Sequence, residues 1–153
     1  MEKYILSKMN SKNFSKAVNE IYLLTDYNHK QYQDYLKWYY SKSIPRVLNG
    51  TGEIVFYLDG LMIAGVAILK KDKIESKICT LMLNKNYRKK GYSKELLESS
   101  FKYLGTDKPL ITIPSNRLDE FQSIINAYNW KESCKTDIYL SEEVVFNDKR
   151  LIK

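Results

Sequence analysis

The densest chemistry in this sequence lies in Tyr87-Arg88-Lys89-Lys90-Gly91-Tyr92-Ser93-Lys94, where four cations surround one glycine. Ahead of it, Leu81, Met82 and Leu83 end an apolar run, and after it Leu97, Phe101 and Leu104 recur at helical spacing. A strand that passes into a helix through a basic, glycine-bearing turn suits an anion. The free N–H groups of the helix's first turn and the positive end of its dipole converge on one point. Gly91 lets the backbone approach a phosphate with no side chain between them. Ser93 keeps the turn small and offers a hydroxyl, and Arg88, Lys89, Lys90 and Lys94 add charge. Basic loops are also common as solvated surface, so the surrounding elements decide how much weight the motif carries.

Other reactive side chains are few. Cys79 and Cys134 are too sparse for a disulfide framework or a zinc site, and His29 is the one histidine, so no metal is expected. His29 sits in a polar, tyrosine-rich stretch and reads as a surface residue. The formal net charge of +7 favours anionic partners, CoA phosphates or nucleic acid among them, although the lysines are spread along the chain.

The elements around the motif follow from periodicity. Tyr4 to Leu6 reads as an opening strand, and Phe14, Ala17, Val18, Ile21 and Leu24 mark an amphipathic helix. A second helix is expected from about Asn28 to Lys42, broken by Ser43-Ile44-Pro45, with Tyr35, Trp38 and Tyr39 at the spacing of a buried face. Glu53 to Leu58 and Leu61 to Lys70 read as strands joined at Asp59-Gly60, a pair that suits a type I′ turn. Gly65 falls inside the second of these, where a glycine signals a bulge or a close backbone approach. Ile74 to Leu83 completes a meander, and a helix runs from Gly91 to Gly105. A short strand at Pro109 to Pro114, a helix over Leu118 to Tyr128 and a strand at Lys131 to Leu140 follow, with Val144-Val145-Phe146 as a docking strand in the tail.

The 153 residues contain no repeat and no Pro/Gly/Ser linker, so one mixed α/β domain over 1–153 is expected. Its sheet should be mostly antiparallel, of six to seven strands, flanked by about four helices. The longest apolar run, Leu61 to Leu69, is too short to span a bilayer, and the N-terminus has no signal-peptide pattern. A cytoplasmic protein is expected.

Tyr87-Arg88-Lys89-Lys90-Gly91-Tyr92-Ser93 resembles the signature of the GNAT acetyltransferases, Arg/Gln-x-x-Gly-x-Gly/Ala, preceded by a hydrophobic strand and followed by a Leu-Leu helix. The resemblance extends to the order of elements, to Gly65, and to Tyr128-Asn129-Trp130 at the end of the penultimate helix. It implies a fourth and fifth strand that separate to admit acetyl-CoA, with the backbone of Leu81, Met82 and Leu83 along the pantetheine arm. It also implies a pyrophosphate held by N–H groups of Arg88 to Ser93, with Lys89, Lys90 and Lys94 screening charge.

The activity implied is transfer of acetyl from acetyl-CoA to a primary amine, by direct attack, on a small-molecule or peptide acceptor. Ser93 replaces the signature's last small residue, and Lys85 replaces a frequent proline. The family's acid and base do not carry over: Ile125 stands where a tyrosine acid is usual, and Lys77 and Cys79 where a glutamate base is usual. Tyr128, one turn on, and Glu75 or Glu53 are the substitutes, each with an equally ordinary structural reading. Cys79 as an acyl relay and catalysis by proximity alone are the other options. Two further readings stay open: acetylation of an RNA-linked aminoacyl group, which the charge favours, and a non-catalytic CoA-binding module. A homodimer is also left open.

Overall fold

The computed structural model describes residues 1–26, 34–87, 91–137 and 141–150. In chain order the elements are β1 (Glu2–Ile5), α1 (Ser11–Thr25), α2 (Tyr35–Trp38), a π-helical turn (Tyr39–Ser43), α3 (Ile44–Asn49), β2 (Gly52–Asp59), β3 (Met62–Lys71) and β4 (Ser76–Leu83). There follow α4 (Tyr92–Leu104), β5 (Leu110–Pro114), α5 (Leu118–Ala127), β6 (Glu132–Thr136) and β7 (Glu143–Phe146). The seven strands form one sheet in the order β1-β2-β3-β4-β5-β7-β6, antiparallel at every junction except β4 with β5. The mixed, mostly antiparallel sheet of six to seven strands expected from the sequence is observed, with seven.

β2 and β3 read as continuous apolar runs because helices cover both of their faces. Ile54, Phe56, Val66 and Ile68 pack with Leu6, Ile21, Tyr35 and Tyr39 beneath α1 to α3. The alternate residues Val55, Ala67 and Leu69 pack with Leu96, Leu97, Phe121 and Trp130 on the face of α4 and α5. α1 starts at Asn10, whose side chain accepts the Asn13 N–H at 2.9 Å, and it buries Ala17, Val18 and Ile21. The tyrosine-rich stretch contributes core where the structure describes it. The Tyr39 hydroxyl donates to the Val18 carbonyl at 2.6 Å and that of Tyr35 to Thr25 Oγ1 at 2.6 Å. The part of the expected Asn28–Lys42 helix before Asp34 lies outside the described residues.

Two local expectations need correction. Pro45 does not end the helix: the backbone widens into the Tyr39–Ser43 π turn and re-forms as α3, in whose first turn the proline lies. A proline is tolerated there because the π turn immediately before it breaks the regular i→i−4 ladder at the place where the proline's N–H is missing. The β2–β3 loop is Gly60-Leu61, since Asp59 pairs with Met62. Positive φ occurs at Gly60 and at neither Asp59 nor Leu61, the pattern of a type II′ turn and not of type I′. The tail segment does form the expected docking strand, and it docks in the interior: β7 lies between β5 and β6, with Val144 and Phe146 buried in the second core.

Gly65 satisfies both senses of a glycine inside a strand. Tyr57 pairs with Gly65 and Leu58 with Ile63, which leaves Ala64 as an extra residue. A Cβ on Gly65 would lie 3.0 Å from Leu83 Cδ1 and 3.3 Å from Leu96 Cδ2, so its bareness seats α4 against β3 and β4.

Candidate functional site

β4 and β5 are the two parallel neighbours, and they stay together only briefly. Lys77 pairs with Leu110 and Ile78 with Ile111, and no ladder pair follows among the described residues. Beyond that point the strands part into a cleft lined by Cys79, Thr80, Leu81, Thr112, Pro114, Arg117 and Phe121, with about 410 Å³ of empty space including its open mouth. A two-residue pairing leaves the outer edge of β4 from Cys79 onward with unpaired backbone groups, the edge to which an extended ligand can hydrogen-bond.

A bulge sets which side chains face this cleft. Leu69 pairs with Ile78 and Ile68 with Thr80, so Cys79 is the extra residue of β4. Ile78 packs in the core of α4 and α5. Cys79 packs against the other core, and Thr80 shares a face with its partner Ile68 in that same core. The bulge therefore puts two consecutive small polar residues on the α1–α3 side of the sheet, where strict alternation allows one. Burial pushes the Cys79 thiol above its ordinary pKa, which keeps it protonated and a weak nucleophile at neutral pH.

At the far end of β4, Asn84 turns the chain toward α4. Its N–H donates to the Ala64 carbonyl at 2.7 Å, its side chain accepts the Asn86 N–H, and its carbonyl accepts the Tyr87 N–H at 2.8 Å. The Tyr87 hydroxyl donates to Asp59 Oδ2 at 2.6 Å, and that carboxylate holds the phenol's pKa above its ordinary value. The Tyr87 and Tyr92 rings stand 6.0 Å apart. Gly91 has φ +83° and opens α4, and it supplies no side-chain cap. Among the described residues the first-turn N–H groups of this thirteen-residue helix receive no side-chain cap, an arrangement that suits an anion.

The residues proposed from the sequence divide in their placement. Leu81, Met82 and Leu83 are half-buried on the segment of β4 that borders the cleft. Gly91, Tyr92, Ser93 and Lys94 form the start of α4, and Lys94 is exposed, 3.9 Å from Glu98. Arg88, Lys89 and Lys90 lie outside the described residues.

Glu75 stands in the β3–β4 turn, ahead of the paired end of the cleft, and accepts from Lys70 Nζ at 2.6 Å. The Tyr128 ring meets Phe101 edge-on at 4.9 Å in the second core. Glu53 is buried, and its carboxylate accepts the Ser7 N–H, the Ser7 hydroxyl and the Ile54 N–H. Ile125 packs in the second core with Tyr128. The described walls of the cleft carry no carboxylate and no imidazole.

Thr80, Thr112 and Arg117 were not anticipated as cleft residues. An alternating strand gives no sign of which position will bulge, and β4–β5 separation depends on parallel partners as distant in the chain as Ile78 and Ile111. Arg117 is engaged: its Nε donates to Glu120 at 2.8 Å and its guanidinium lies over the Phe121 ring.

No protein-family model and no curated protein matches the sequence. Solved structures do match the fold. The NatC complex bound to Gag peptide and CoA aligns at TM-score 0.71 and 14% identity, over 95% of this chain and 97% of that one. The ribosomal-protein-S18-alanine N-acetyltransferase of Escherichia coli aligns at TM-score 0.65 and 12% identity, over 95% and 92%. A GNAT family acetyltransferase from Elizabethkingia anophelis with acetyl-CoA bound aligns at TM-score 0.51 and 13% identity, over 69% and 80%. At these identities the likeness is one of fold, and the fold is that of the GNAT acetyltransferases.

Proposed function

We propose that this chain, built on the GNAT fold, transfers acetyl from acetyl-CoA to a primary amine by direct attack. The observation that carries the reading is the separation of β4 from β5 directly after Ile78 and Ile111, on the strand that leads into the N-terminus of α4. An extended arm along the free edge of β4, and a charged diphosphate at the helix start, are what this pair of features accommodates. In this reading the backbone of Leu81, Met82 and Leu83 runs along the arm, and the N–H groups from Arg88 to Ser93 hold the pyrophosphate. Arg88, Lys89, Lys90 and Lys94 supply positive charge around it.

The reaction forms a bond from the amine nitrogen to the acyl carbon and breaks the bond from that carbon to sulfur. CoA leaves as its thiolate, and the proton lost by the nitrogen goes to solvent or to that thiolate. Glu75 is held by Lys70, and Tyr128 is packed on Phe101, so neither receives a proton-transfer role here. Without a described base in the cleft, rate rests on placement of the two reactants. Such a site favours an amine that is already largely neutral. A peptide α-amino group, with pKa about 7.7–8.0, meets that condition far better than a lysine amine at about 10.4. Two similar folds, the NatC complex with its bound peptide and the S18-alanine enzyme, are of proteins named for peptide or protein ligands, which agrees with this acceptor class.

The test is calorimetric titration with CoA, followed by mass spectrometry of a peptide and small-amine panel incubated with acetyl-CoA. Acetylated peptide N-termini are the expected outcome; failure to bind CoA sinks the reading. Binding without turnover on any amine identifies a CoA-binding module instead. The net charge of +7 favours one alternative acceptor, an RNA-linked aminoacyl group. That reading requires tRNA binding that weakens steeply with salt.

A further inference from the structure

We propose that Arg46 and Lys77 hold a carboxylate carried by the acceptor, so that the chain acetylates amines that also bear an acidic group; the inference rests on reading the β4–β5 cleft as the acetyl-CoA site. Arg46 lies on α3 and Lys77 on β4, and the sheet brings them to one face. A Cβ on Gly52 would stand 2.8 Å from Arg46 Cβ, so the bare glycine that starts β2 lets α3 settle onto the strand with Arg46 over it. Gly52 pairs with Lys70 and Lys70 with Lys77, and ladder partners share a face. That face is the one beneath α1 to α3, because Lys70 alternates with Ile68 of the first core. The three cations thus form a row across β2, β3 and β4. Lys70 is neutralised, 2.6 Å from Glu75 and 3.5 Å from Asp72. Arg46 and Lys77 are half-buried, and among the described residues neither side chain has an ion pair or a hydrogen bond.

The acceptor has to reach the acyl carbon from this side. β4 and β5 close at Ile78 and Ile111, so the thioester end of an arm lying along β4 comes to rest near Cys79. On the opposite face Ile78, Leu97, Ile111 and Phe121 fill the second core and close that side. On the α1–α3 face Cys79 is half-buried, with Lys77 two residues away, about 7 Å along the strand. Burial raises the pKa of the Cys79 thiol, and the charges of Lys77, Arg46 and Lys70, in that order, oppose the rise, while Glu75 adds to it. Both unpaired cations therefore stand within electrostatic reach of the place where the new bond forms. Their charges repel an acceptor whose one charge is its ammonium group and attract one that carries a carboxylate. Arginine offers a planar pair of donors matched to a carboxylate, and lysine a point charge beside it. An acidic side chain on a peptide and the carboxylate of a small amino acid present this same chemistry.

The experiment titrates acceptors by calorimetry into the chain saturated with CoA, and repeats the panel as initial acetylation rates with acetyl-CoA. The panel holds peptides that differ only at the second residue, glutamate, glutamine or lysine, together with free glutamate and free glutamine. The parent is expected to favour glutamate over glutamine by about 10-fold or more, the scale of one charge-assisted hydrogen bond, and to bind the lysine peptide most weakly. Arg46→Gln and Lys77→Gln should each reduce that preference several-fold while CoA affinity stays at the parent value. Lys77→Glu should turn the preference toward the lysine peptide, a change that lost packing would not produce. A preference confined to the peptides, or to the free amino acids, identifies the source of the carboxylate and upholds the assignment in either case. A parent that binds CoA but treats glutamate and glutamine alike, binding neither included, overturns the assignment and leaves the acetyl-CoA reading intact. Variants that all keep the parent's preference do the same. A parent that binds no CoA overturns both.

Discussion

The Tyr87 hydroxyl donates to Asp59 Oδ2 at 2.6 Å, tying the residue just before the basic turn to the tip of the β2–β3 hairpin. The hairpin thus holds the residue that precedes the basic segment, and the left-handed Gly91 opens α4 after it. In the proposed function these two residues are the anchors on either side of a phosphate-binding segment.

Tyr87→Phe removes the first anchor while keeping the ring near Tyr92. CoA affinity is expected to fall several-fold with little loss of secondary structure, measured by titration and circular dichroism. The phenol's pKa is raised by Asp59, so the contribution of this hydrogen bond is complete below the unfolded tyrosine's pKa, about 10. It is lost as pH rises through the folded value. Parent and variant should therefore converge in stability at strongly alkaline pH.

Gly91→Ala tests the second anchor. A Cβ at Gly91 meets nothing within 4 Å, so the whole penalty comes from its φ of +83°. A non-glycine residue pays about 1–2 kcal/mol in that region, and relaxation to avoid it turns the first N–H groups of α4 aside. The expected result is weaker CoA binding than in Lys94→Ala, which removes an exposed cation paired loosely with Glu98. Equal affinities in the two variants would count against the turn as the phosphate site.

Gly65→Val should act through packing. Its side chain would press on Leu83 and Leu96, the contacts that seat α4 on the sheet. Overpacking of this kind costs about 1–3 kcal/mol. Thermal unfolding should report the loss, and CoA binding should weaken with it because both the free edge of β4 and the start of α4 shift.

Truncation after Thr136 removes β7 from between β5 and β6, taking Val144 and Phe146 out of the second core. The expected product is an insoluble or molten chain, assayed by expression and near-ultraviolet dichroism. A folded, cooperative product would show that β7 is dispensable.

Local rules made much of this molecule legible in its sequence. The alternation of Ile54, Val55 and Phe56, the helical stripe of Leu97, Phe101 and Leu104, and the two glycines bounding α4 each depend on near neighbours, and each led to the right element. The strand-to-helix junction was legible for the same reason, because Gly91 and the change of period after it are signals that a short segment carries by itself. Gly65 announced a bulge or a close approach, and both are present.

What needed the tertiary structure is whatever depends on a partner distant in the chain. Pro45 looked like a helix breaker because propensity does not register that a π turn can absorb it, with Tyr39 pinned to Val18 from the neighbouring helix. Glu75 and Tyr128 had suitable types and spacing, but their partners Lys70 and Phe101 come from folding. The tail's place inside the sheet, the bulge at Cys79, and the exposure of Thr80 to a cleft between β4 and β5 likewise follow from strand register. Register is decided by how two faces of a sheet are buried against helices from elsewhere in the chain. Composition and spacing determined that a basic, glycine-bearing segment joins a strand to a helix on a mixed sheet, and long-range packing alone decided which side chains line the cleft beside that strand.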